Sequence, residues 1–157
     1  MGDQRAYERG RNDFYSYTYK TVSPKVTIND VTGKMVEQKA FHNERHNTLP
    51  AYAKTSDVYF AKGPDGLASQ CKVYSQDRKM VKDFDWDHTH INKDGSIFPK
   101  GTVHVQTYTI TRVRGKDGKM HDKFVRGIAR RMTASEIKKY GPIIKHFRLC
   151  KLNCVKL

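Results

Sequence analysis

The sequence predicts an α+β fold: a central antiparallel β-sheet with few helices. Three observations carry this. Short runs of alternating β-branched and aromatic residues recur between Gly- and Asp-rich turns. One stretch, Thr133-Ala134-Ser135-Glu136, has the spacing of a helix capping box. The chain has 157 residues, about the size of a single domain, and 11% aromatics, more than disordered chains carry.

The elements follow in order. Residues 3–16 are compatible with an N-terminal helix, and an alternating run extends from Tyr17 to Ile28. Asn29-Asp30 and Thr32-Gly33 read as turns before Met35–Phe41. Gly63-Pro64-Asp65-Gly66 separates Val58–Ala61 from Ser69–Tyr74, and Asp77-Arg78 separates that run from Met80–Trp86. After the Lys93-Asp94-Gly95 turn, Thr102–Arg114 places Val103, Val105, Thr107, Thr109 and Thr111 on one face. Gly115-Lys116-Asp117-Gly118 turns into Lys119–Val125. The capping box then opens a helix, which Gly141-Pro142 is expected to stop.

The net charge of +14 is uneven. Residues 112–157 hold 14 of the 30 Lys and Arg but three of the 16 Asp and Glu. Apolar residues interleave with these charges, so the segment reads as a folded basic surface. A nucleic-acid-facing role is expected for it, through Arg112, Arg114, Arg126, Arg130 and Arg131. No run of about 18 apolar residues predicts a membrane span. The charged N-terminus does not read as a secretory signal, which leaves open export as part of a larger chain. Three cysteines, Cys71, Cys150 and Cys154, form no disulfide framework and point to a reducing compartment.

The seven histidines are grouped. His42 and His46 share one polar loop. His88 and His90 follow the alternating acids Asp83, Asp85 and Asp87, and His104 begins the next strand-like run. Cleavage of RNA by its own 2′-hydroxyl requires a base, an acid and a cation for the phosphorane charge. Two imidazoles can act as base and acid near neutral pH, and Lys or Arg supplies the cation. Adjacent antiparallel strands would bring His88 and His104 together. Lys72 and Lys100 are the candidate cations, Asp85 is the orienting carboxylate, and His42 and His46 are second choices. No metal is needed for this chemistry. The alternative is zinc, held by His88, His90 and His104. Cys150, Cys154 and His146 would share a helical face but have no fourth ligand nearby, so they read as ordinary residues.

Gln70-Cys71-Lys72-Val73-Tyr74, Lys82-Asp83-Phe84-Asp85, His88 and Phe98-Pro99-Lys100-Gly101-Thr102-Val103-His104-Val105 resemble a pattern in C-terminal toxin modules of bacterial polymorphic toxins and phage head-morphogenesis fusions. His42-Asn43 and His46-Asn47 resemble a companion element. The resemblance implies a barnase-like (BECR) ribonuclease toxin fold of the colicin-like group. It further implies metal-independent RNA cleavage, action in the cytoplasm of a target or host cell, and neutralisation by an acidic immunity protein. Gln70, Lys72, Tyr74, Asp83, Asp85, His88 and His104 are the matched positions. Lys72 stands where that pattern has Arg, and Gly101 or Thr102 where it has a further His. The whole chain, 1–157, is then expected to be one domain. Residues 1–40 would form a β-hairpin or helical extension, 42–125 a catalytic core, and 126–157 a basic C-terminal segment.

Overall fold

The structure, a computed structural model, describes residues 19–38, 49–53 and 56–148. The expected N-terminal helix at 3–16, His42, His46, Cys150 and Cys154 lie outside them. In chain order the strands are β1 (Tyr19–Thr21), β2 (Val26–Ile28), β3 (Val31–Gln38), β4 (Val58–Lys62), β5 (Ala68–Tyr74) and β6 (Met80–Asp85). Then come β7 (His90–Ile91), β8 (Ile97–Phe98), β9 (His104–Arg114) and β10 (Met120–Arg126), followed by the helix α1 (Ala134–Phe147). The main sheet runs β1-β3-β4-β5-β6-β9-β10, with β2 also paired to β3, and β7–β8 is a separate hairpin. The fold is therefore α+β, with one helix among the described residues. None of their helices is long and apolar enough to cross a membrane.

The sheet is mixed rather than antiparallel throughout, because β3 and β4 pair in parallel. A parallel pair needs a crossover of a dozen or more residues, and the chain between β3 and β4 is long enough to supply one. Residue alternation is the same in both arrangements, so it could not reveal this. The run from Tyr17 to Ile28 is also interrupted. Pro24 lacks a ladder donor, and Ser23 Oγ accepts the Met35 N–H at 2.8 Å beside the break.

Asn29 and Asp30 form the expected turn, both left-handed at φ 54 and 63, as a two-residue hairpin between β2 and β3 demands. Thr32-Gly33 is not a turn. Both residues pair within β3, and Gly33 is a point of close approach. A Cβ there would lie 2.6 Å from Val58 Cγ2 and 3.0 Å from Ile143 Cδ1 of α1. The missing side chain lets the helix settle onto the sheet.

The sheet buries both faces. On one, α1 packs over Val31, Met35, Val58, Phe60, Phe84 and Val105, with Phe147 stacked on Phe60 at 4.4 Å between ring centroids. On the other, Leu49, Ala51 and Ala53 pack with Tyr59, Tyr74, Met80, Tyr108 and Phe124. Tyr74 donates its hydroxyl to Pro50 O at 2.6 Å. At the end of this second face, beyond Asp85, a different set of residues takes over.

The capping box forms as expected: Thr133 Oγ1 accepts the Glu136 N–H, and Glu136 accepts the Thr133 N–H. Glu136 also pairs with Arg130, at 2.7 and 3.1 Å, and with Lys82 at 2.7 Å. Burial alone would raise its carboxyl. The bonds from Arg130, Lys82 and Thr133 outweigh that and hold it at about 2. The helix does not stop at Gly141-Pro142 but runs through Pro142 to Phe147. Pro142 has no N–H for the carbonyl four residues earlier, that of Lys138. Asn29 Nδ2 donates to Lys138 O at 2.8 Å and fills the vacancy from outside the helix.

Asn29→Ala should therefore cost about 1 kcal/mol in urea unfolding, in the range of one lost hydrogen bond. The same change in a Pro142→Ala background should cost less, because the helix then supplies its own donor. Equal costs in both backgrounds would break the connection. Glu136 has a folded pKa below its ordinary 4.5, so its contribution is present above about pH 4.5 and disappears as pH falls towards 2. Glu136→Gln should lower stability at pH 7 by about 2 kcal/mol and flatten the acid limb of a stability–pH curve.

Candidate active site

Register decides which side chains meet. On β5, β6 and β9, Gln70 pairs with Asp85 and Asp85 with His104. The next row on the same face is Lys72, Asp83 and Gln106. The intervening Phe84 and Val105 point into the core beneath α1. After Asp85 the chain leaves the sheet through Trp86 to Thr89, forms the β7–β8 hairpin and returns at Gly101. Gly101 is left-handed at φ 93 and donates its N–H to Trp86 O at 2.8 Å. This excursion folds His88 and His90 back over His104.

The three imidazoles are in mutual contact. The ring centroid of His104 lies 5.3 Å from that of His88 and 4.9 Å from that of His90, which is stacked on it. One ring nitrogen from each of the three lies within 4.8 Å of the others. His104 is 1% exposed, whereas His88 and His90 are half-buried. Neither ring nitrogen of His104 has a hydrogen-bond partner among the described residues. Its burial, followed by the neighbouring His90 and His88, pulls it down to about 4, so the ring is neutral at physiological pH.

Two of the rings have outer partners. His88 Nδ1 lies 3.5 Å from Asp85 Oδ1. Burial pushes the Asp85 carboxyl up, against the pull of His88. His90 Nε2 lies 3.1 Å from Asn92 Oδ1. Asn92 cannot be turned around, because its Nδ2 donates to Ala129 O at 2.9 Å and its Oδ1 accepts the Ala129 N–H at 3.2 Å. His90 Nε2 is therefore the donor, and Nδ1 keeps its lone pair. Sequence reasoning missed this role of Asn92. Asn92 precedes the Lys93-Asp94-Gly95 turn, and nothing in the sequence shows that its side chain faces inward.

The structure thus unites His88, His90, His104 and Asp85 and adds Asn92. It separates Lys72 from them. Lys72 is 0% exposed, and its Nζ sits 2.8 Å from Asp83 Oδ1 and 3.4 Å from Met80 Sδ. Tyr108 donates its hydroxyl to the other Asp83 oxygen, and its ring lies 5.0 Å from the ammonium. Lys72 is an internal cation of the sheet and does not reach the surface where a phosphate would lie. Lys100 is exposed, on a loop whose N–H donates to Thr89 Oγ1 between the two histidines, at 3.3 Å.

The basic residues also divide. Arg130 is engaged with Glu136, and Arg112 is exposed but bonds Asp122 at 2.8 Å. Arg114 donates to Gly118 O, Arg126 is half-buried beside Tyr108 in register, and Arg131 is exposed. His121 pairs with Asp117 at the β9–β10 turn, outside the cluster. Compared with family models, curated proteins and solved structures, the chain matches none of them.

Removing Lys72 leaves Asp83 buried without its counter-charge. Lys72→Met should cost about 3–5 kcal/mol in urea unfolding, and Lys72→Met with Asp83→Asn should recover part of it. A single variant as stable as the parent would dismiss the pair as a structural element.

Proposed function

We propose that the chain is a toxin-type endoribonuclease domain that cleaves RNA at the cluster of Asp85, His88, His90 and His104. One observation carries the reading: three imidazoles and a buried carboxylate meet at one end of a sheet face, in a chain of net charge +14. In RNA transesterification the 2′-oxygen bonds to phosphorus as the bond from phosphorus to the 5′-oxygen breaks. One group takes the proton of the 2′-hydroxyl and another gives a proton to the 5′-oxygen. His88 has Asp85 beside Nδ1, which leaves Nε2 to exchange a proton with RNA. His90 is the second half-buried imidazole. His104, at 1% exposure, lies behind them and positions them. Lys100 supplies charge for the phosphorane, and Arg112, Arg114, Arg126 and Arg131 hold the backbone. An acidic immunity protein suits the same basic surface. The setting proposed is the cytoplasm of a target or host cell.

A zinc-dependent DNase built on the same histidines is the second reading. The partnerless nitrogens of the buried His104 favour its metal.

Incubation with total RNA and with plasmid DNA tests the substrate. RNA should be cut, and His88→Ala should slow the cutting by about 10²-fold or more with the melting temperature unchanged. Cutting of DNA alone selects the second reading. Salt-sensitive binding of RNA without cleavage of either polymer makes the chain a binding module and defeats both.

A further inference from the structure

We infer that His88, His90 and His104 form a binding site for a first-row divalent metal ion, zinc by preference. The donor atoms already lie within 4.8 Å of one another. Three imidazoles around zinc stand roughly 3.3 Å apart, from metal–nitrogen distances of about 2.0–2.1 Å. The remaining contraction falls to His88 and His90, the two half-buried rings, while His104 is held by the sheet.

The independent observation is His104 itself. A fully buried imidazole with neither nitrogen bonded among the described residues forfeits the hydrogen bonds that water would give it, and such groups are rare. A metal on one nitrogen satisfies that nitrogen. The other two ligands have the outer partners that metal-binding histidines use. Asn92 fixes His90 with Nδ1 free, and Asp85 faces His88 Nδ1, which leaves Nε2. Three neutral imidazoles suit zinc and its neighbours rather than magnesium or calcium. The nearest buried cation, Lys72, is already neutralised by Asp83 in the adjacent row. With three protein ligands the ion keeps a fourth position, on the side of the half-buried rings, where a phosphoryl oxygen can bind.

The inference deepens the second, metal-dependent reading, in which the nitrogens of His88 and His90 are ligands rather than acid and base, and rests on it only for the phosphoryl group. The full chain, freed of metal by EDTA and dialysed, is titrated with cobalt(II) in the visible range and with zinc by calorimetry. The expected result is one equivalent bound, an intense four-coordinate cobalt spectrum that zinc bleaches, and affinity at least about 100-fold lower in both His88→Ala and His90→Ala. His121→Ala should bind like the parent. Absence of binding, or binding that survives both cluster variants, overturns the site. Because no substrate is present, a chain that binds zinc but cuts neither RNA nor DNA overturns the nuclease readings alone. A chain that cuts RNA but takes up no zinc overturns the metal site alone.

Discussion

The buried pair of Lys72 and Asp83 sets the register on which the site depends. Strands have a side-chain period of two, so a slip of one residue between β5 and β6 would turn an ammonium or a carboxylate into the apolar layer under α1. An uncompensated buried charge costs about 3–5 kcal/mol, as much as a large cavity in the core. Tyr108 extends the same constraint to β9 through its bond to Asp83. With the row of Lys72, Asp83 and Gln106 fixed, the adjacent row must place Gln70, Asp85 and His104 side by side. The positions that resemble a toxin pattern therefore divide between two jobs. Asp85, His88 and His104 meet at the cluster, while Lys72 and Asp83 hold the frame beneath it.

The helix side follows a related logic. Polar groups that would be costly alone are placed where another element lacks a partner. Asn29, at the tip of the β2–β3 turn, supplies the donor that Pro142 removed from α1. Glu136 closes the helix N-terminus while gathering Lys82 from β6 and Arg130 from the segment after β10. That segment also bonds Val105 of β9 through Arg130 and offers Ala129 to Asn92. One stretch of irregular chain thus touches the helix cap, the central sheet and the hairpin bearing His90.

Much of this was legible in the sequence. The strands from Val58 to Val125 and the capping box were readable because period-two alternation, Gly/Asp turns and a Thr-x-x-Glu spacing are local signals. So was the proximity of His88 and His104, although the excursion after Asp85 brings them together where the sequence suggested strand pairing. What escaped depends on partners distant in the chain. Gly33 looks like a turn residue until Ile143 arrives above it. Pro142 looks like a stop until Asn29 takes over its hydrogen bond. Lys72 looks like an available cation until the layer of Tyr108 and Met80 closes over it. The parallel pairing of β3 and β4 leaves no trace in either strand's residues.

The excursion between Asp85 and His104 has one further consequence. All three imidazoles lie within a single stretch that leaves β6 and returns on β9, so they are joined by a short loop rather than gathered from distant parts of the chain. A single loop closure brings them together, and its entropy cost grows only slowly with loop length. Pairing of β6 with β9 accordingly brings the three imidazoles within reach of one another. The cluster's geometry still leans on the rest of the fold, since Ala129 lies outside the stretch and holds the Asn92 that orients His90.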